Sequence, residues 1–184
     1  GLDFMKNNFT EISSQMDFSF LTGKPLILFS LFGFVFTAII QSSSASMTIY
    51  LSSLAAGIIS LPQAAFLMIG SDLGSSVTGL IGTMNGNAIR KKVGYSHFLF
   101  NVYSAIIGML LANFYLYAIK NWLGNNDPLT SLTAFHTILN IVGMILFLPL
   151  MKQFITFLEK NVKSDNGFQA KYIHVITPTE SVVG

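Results

Sequence analysis

Gln41, Ser42, Ser43, Ser44, Ser46 and Thr48 crowd a single stretch of apolar sequence. They supply hydroxyl groups and one amide, all uncharged. Two readings stand: small polar residues let membrane helices approach closely, or the groups bind something. Buried polar groups need partners, and a sodium ion or an oxyanion would provide them. Asp72 is the sharper feature, being the only acidic residue within an element of membrane character. An ionisable side chain there marks a functional site by default, since placing its charge in the bilayer costs about 3 kcal/mol or more. The structural alternative is an N-cap on a second half-helix, with Ser75 and Ser76 in its first turn. Both can hold at once, because half-helix N-termini attract anions while unwound carbonyls coordinate cations. A carboxylate favours a cation or a carried proton.

Two further pairs, His97/Asn101 and His136/Asn140, each share a helix face through i, i+4 spacing. Neither has an acidic neighbour in sequence, which points to interhelical hydrogen bonding rather than metal binding. His174 lies in the polar tail and carries no signal. No nucleophile–base arrangement and no phosphate-cradling loop before a soluble helix is visible, and the Gly70–Gly74 spacing alone is a weak signal. An enzyme is therefore not expected, nor any cofactor beyond a coupling ion.

The elements that must hold these residues follow from the hydropathy pattern. Residues 26–59 form an apolar run longer than one span, interrupted at Gln41–Ser44. It reads either as one long tilted helix or as a helical hairpin that enters the membrane partway and returns. Each arm of the hairpin is too short to cross, since a span takes about 20 residues. Residues 62–84 are interrupted by Gly70-Ser71-Asp72-Leu73-Gly74-Ser75-Ser76, which reads as a discontinuous membrane helix. Such a break is tolerated at membrane depth only where it lines a cavity or is covered by protein. Residues 94–119 and 132–151 read as full spans. Residues 1–24 carry Phe4, Phe9, Ile12, Met16 and Phe20 at near-helical spacing, an amphipathic lead-in. Residues 161–184 are a polar tail.

Composition agrees with a membrane protein. Hydrophobic residues make up 52% and charged residues 10% of the chain, against roughly 25% charged in soluble domains. No charge occurs between Lys24 and Asp72, between Lys92 and Lys120, or between Asp127 and Lys152. The cluster Arg90-Lys91-Lys92 and the later Lys152, Lys160 and Lys163 place both of those ends in the cytoplasm. Helix 62–84 then runs inward, 94–119 outward and 132–151 inward, and the hairpin opens to the outer face. Trp122 suits an interface. There is no basic stripe with interleaved aromatics for nucleic acid, and no cysteine for disulfides or thiolate metal sites. The chain opens at Gly1-Leu2-Asp3 without a basic-then-apolar leader, which reads as a cut from a longer polypeptide or a processed start.

Taken together, these motifs resemble the type II sodium-dependent phosphate cotransporters and their bacterial relatives. Thr37-Ala38-Ile39-Ile40-Gln41-Ser42-Ser43-Ser44-Ala45 is similar to the family's QSSS signature with its flanks. Gly70-Ser71-Asp72-Leu73-Gly74-Ser75-Ser76-Val77-Thr78 is similar to its second signature. Arg90 to Asn101 and His136 to Asn140 resemble the two His-x-x-x-Asn elements that follow, so the likeness covers residues 23–160. It departs at Asp72, where the family usually has Asn, and at Ser75, where it usually has Thr. Ser keeps the hydroxyl; Asp adds a negative charge near a site meant for an anion.

The resemblance implies an all-α integral membrane fold. The chain would be the second inverted repeat, with a re-entrant hairpin (25–59), the broken helix (62–84) and two further transmembrane helices (94–119, 132–151). It implies sodium-coupled phosphate symport, with a substrate and ion site at Gln41, Ser42, Ser43, Ser44, Ser71, Asp72, Ser75, Ser76 and Thr78. Sodium would lie near Gln41, Ser43, Asp72 and Ser75. The expected partners are phosphate, sodium, the lipid bilayer and the other repeat, from the same longer chain or a second copy. The expected location is the plasma membrane. Coupling to protons, a different small anion, or a non-transporting scaffold role are the alternatives.

Overall fold

A computed structural model describes residue 18, residue 21, residues 23–122 and residues 127–162. Most of the amphipathic lead-in and of the polar tail, with Lys163, lies outside these residues. Every regular element among them is helical: α1 (Leu26–Ile40), α2 (Ser43–Ala55), α3 (Leu61–Met84), α4 (Ala88–Trp122), α5 (Pro128–Phe147), a 3₁₀ turn (Leu148–Leu150) and α6 (Met151–Asn161).

The apolar run from residue 26 is two helices. α1 starts directly after Pro25 and ends at Gln41, whose backbone is left-handed with φ 62° and whose N–H bonds the Thr37 carbonyl at 2.7 Å. This is the usual way a helix stops, but with a non-glycine residue. Ser42 is extended, and its hydroxyl accepts from the Ala45 N–H to start α2. The chain reverses here. Thr37 and Ser46 bond side chain to side chain at 2.8 Å, whereas nine residues of continuous helix would separate them by about 13 Å. α1 has 15 residues and α2 has 13, so neither reaches the ~30 Å of a hydrocarbon core at 1.5 Å per residue. Gly57, at φ 71°, makes the left-handed turn out of α2.

α3 is opened by a capping box, in which the Ser60 N–H donates to Gln63 Oε1 at 2.7 Å, with Pro62 in the first turn. It then runs unbroken for 24 residues. The expected discontinuity at Gly70–Ser76 is absent, and with it the reading of Asp72 as an N-cap. The glycines have a different purpose. A Cβ on Gly70 would overlap the Ser30 carbonyl, one on Gly74 the Phe34 carbonyl, and one on Gly33 the Leu67 carbonyl. All three sit in one seam that lets the backbones of α1 and α3 touch. The serines do not unwind the helix either: Ser75 donates to the Asp72 carbonyl at 3.0 Å and Ser76 to the Leu73 carbonyl at 2.6 Å, local bonding that a helix tolerates.

α3 is the centre of the bundle, packing against α1, α2, α4 and α5. Leu67, Met68 and Ile69 of α3 are fully enclosed with Phe29, Tyr50, Ile119, Leu132 and Phe135. α4 begins six positions before the expected span, after the Asn85-Gly86-Asn87 turn, with Asn87 Oδ1 accepting from the Arg90 N–H at 3.0 Å. α5 starts at Pro128 behind Asp127, whose carboxylate accepts from the Thr130 hydroxyl and N–H; these bonds hold its pKa below the ordinary value. Pro149 ends α5 earlier than expected, and α6 continues beyond the 3₁₀ turn. Three helical stretches, Leu61–Met84, Ala88–Asn121 and Pro128–Asn161, are long and apolar enough to cross a membrane.

Candidate functional site

The hairpin turn and the middle of α3 carry the nine candidate residues, and the structure divides them into three groups. At the turn, Gln41 and Ser44 are exposed, while Ser42 and Ser43 are half-buried. The Ser42 and Ser44 hydroxyls lie 3.3 Å apart. Gln41 reaches its exposed position through the left-handed backbone, a conformation that costs a non-glycine residue about 1–2 kcal/mol. Strain of this kind collects at functional sites.

Deeper in, the turn is tied to α3 by buried hydroxyls. Thr37 Oγ1 bonds Ser46 Oγ and Ser71 Oγ, each at 2.8 Å, and all three side chains are enclosed. One hydroxyl thus joins α1, α2 and α3. The Tyr50 phenol approaches Thr37 and Ser46 but forms no well-directed hydrogen bond. Ser71 is the only one of the nine in this group. Thr37 opens the QSSS-like stretch and Ser46 lies one residue beyond it; a polar side chain one helical turn before Gln41 is the signal for Thr37.

The third group surrounds Asp72. Its carboxylate oxygens lie 3.2 and 3.1 Å from Nε2 of His136 on α5. With the carboxylate ionised, which then only accepts, Nε2 is the donor of this contact. Both side chains are about a quarter exposed, 23% for Asp72 and 28% for His136. Ser75 and Ser76 turn their hydroxyls to their own helix, and Thr78 is half-buried one turn further on. No hydrogen bond among the described residues joins Gln41 or Ser43 to Asp72 or Ser75.

The His/Asn pairs resolve unequally. His136 does bond across helices, but to an acid. Asn101 and Asn140 instead donate to the carbonyls of His97 and His136 in their own helices, at 2.9 Å each. The described residues contain no cluster of three or more His, Cys, Asp or Glu side chains able to hold a metal ion. What the arrangement can offer is neutral oxygens and one amide at an exposed turn, over a sealed hydroxyl layer, with one carboxylate–imidazole pair to the side.

The Na+/Pi-cotransporter family profile matches residues 1–153. An uncharacterized protein of Bacillus subtilis (strain 168), YqeW, is 35% identical over 126 residues, which cover 67% of this chain and 40% of that protein. YjbB of Escherichia coli (strain K12), provisionally named as an inorganic phosphate export protein, is 29% identical over 174 residues, 90% of this chain and 31% of its own length. Its counterpart in Salmonella typhimurium is similar to the same extent. The chain spans less than half the length of these curated relatives. No solved structure matches.

Proposed function

We propose that this chain, which belongs to the Na+/Pi-cotransporter family, supplies one of two inverted repeats of a membrane transporter that moves inorganic phosphate together with sodium. The observation that carries the reading is the hairpin turn, where Gln41 is held exposed in a left-handed backbone between two helices too short to cross a bilayer. Phosphate would settle on the hydroxyls of Ser42, Ser43 and Ser44 and the N-terminal N–H groups of α2, a position helix dipoles favour for anions. Sodium would be held by oxygens of Gln41, Ser43, Asp72 and Ser75. A hydroxyl that donates still accepts, so the bond from Ser75 to its own helix leaves lone pairs for a cation. The family and the relatives' names support a transporter rather than an enzyme.

The second repeat would come from the same longer polypeptide or from a second copy, and would close the outer side of the turn. Rocking of one repeat against the other would expose the site alternately. Coupling requires each ligand to bind better with the other present. By the positive-inside rule the basic start of α4 at residues 90–92 and the C-terminal end would face the cytoplasm of the cell membrane.

The test is labelled-phosphate flux through the full-length gene product in proteoliposomes, with sodium or choline, read in both directions because the Escherichia coli relative is named for export. Sodium-dependent flux that disappears in Gln41→Ala is expected. Flux unchanged in choline removes the sodium part, and no flux from a well-folded protein leaves the scaffold role. The Asp72–His136 pair favours one variant of the reading, with a proton in place of sodium. Asp72→Asn leaving flux unaltered across pH would count against it.

A further inference from the structure

We propose that the cleft between the start of α4 and the end of α6 is a binding site for one anionic phospholipid, a function separate from the hairpin site. The cleft has a volume of about 660 Å³ and is lined by Lys91, Tyr95 and Leu99 of α4 and by Phe157, Leu158 and Asn161 of α6. Its chemistry is divided. Leu99, Phe157 and Leu158 make an apolar wall, and Lys91, Tyr95 and Asn161 put an ammonium, a phenol and an amide at the rim.

The charges around it are predominantly basic, and none of Arg90, Lys91, Lys92 and Lys160 forms a salt bridge among the described residues. Arg90, Lys91 and Lys92 follow one another at the helix start, and Lys160 precedes Asn161. The salt bridge Asp72–His136 joins the middles of α3 and α5, away from this end. Glu159 is the sole acid on α6. Basic residues left unpaired where a membrane helix meets the headgroup layer attract anionic lipid, by about 1 kcal/mol for each Lys or Arg.

The apolar wall decides between a lipid and a free anion. Inorganic phosphate gains nothing from Leu99 and Phe157, whereas an acyl chain would cover their exposed surface. Phe157 is 53% exposed, on the last helix, where a lipid tail would cover it. Lys91 is half-buried, so its stem lies along the cleft while its ammonium can reach the rim.

Native mass spectrometry of the full-length gene product, loaded with phosphatidylglycerol or with phosphatidylcholine of the same chains, tests the assignment. Retention of phosphatidylglycerol over phosphatidylcholine is expected. Lys91→Gln should weaken it roughly five-fold, the equivalent of one surface charge at about 1 kcal/mol. Lys120→Gln, at the other end of α4, should leave it unchanged. Leu99→Ser should also weaken it, which a purely electrostatic headgroup contact would not. Equal retention of both lipids, no effect of Lys91→Gln, or displacement by inorganic phosphate would each overturn the proposal. Phosphate flux is not a readout here, so failure of the transport reading would leave this result standing.

Discussion

At the scale of single residues, the least expected contact is Asp72 with His136. The two lie 64 positions apart, and nothing in the local pattern of either helix pairs them. Asp72 is conspicuous in the sequence because it is a lone acid; its partner is set by how α3 and α5 cross, which only packing decides. The contact makes an asymmetric prediction. His136→Ala leaves a carboxylate without its donor and should cost about 1–3 kcal/mol of stability, whereas Asp72→Asn keeps an acceptor and should cost less. Thermal unfolding of both single variants and of the double would show it; a double-mutant cycle with no interaction energy would mean the contact is not formed. The placement of other candidate residues was legible. The polar run at Gln41–Ser44 falls at the turn, and Ser71 reaches the turn's buried hydroxyls. Ser75 and Ser76 carry the same hydroxyl in sequence but spend it on their own backbone.

At the scale of elements, the hairpin and α3 show what a pattern can and cannot say. A polar interruption in a long apolar run is compatible with one helix or two, and the positive φ of Gln41 makes it two. The glycines at positions 70 and 74 are equally compatible with a broken helix or a tight crossing, because both exploit a missing side chain. They mark a crossing here, since the neighbouring backbone of α1 fills the space. Gly70→Ala should therefore destabilise the protein by about 3 kcal/mol or more, because backbone cannot yield as a side chain does. Gly82→Ala, where an added Cβ meets nothing within 4 Å, should be neutral or stabilise by about 0.5–1 kcal/mol. Equal effects of the two substitutions on thermal unfolding would contradict the close seam.

At the scale of the whole molecule, the apolar spans and the sparse charge were readable because a bilayer demands long uncharged stretches and little else. The helix ends were less so: α4 spans 35 residues, about 52 Å at 1.5 Å per residue, well beyond the hydrocarbon core. Its basic start and Lys120 should therefore lie on opposite sides. The chain contains no cysteine, so Lys91→Cys and Lys120→Cys can be labelled singly. An impermeant maleimide should reach Lys120→Cys on intact cells and Lys91→Cys only after permeabilisation. The reverse pattern would invert the orientation, and labelling of both from one side would mean that α4 does not cross. The glycine seam also has a mechanical consequence. Where Gly33, Gly70 and Gly74 set carbonyls of one helix against α-carbons of the other, α1 and α3 interlock without side chains between them, and Thr37 rivets α2 to both. The three helices form a single stiff spar. Any movement that alters access to the turn must then carry these three helices together and flex outside them.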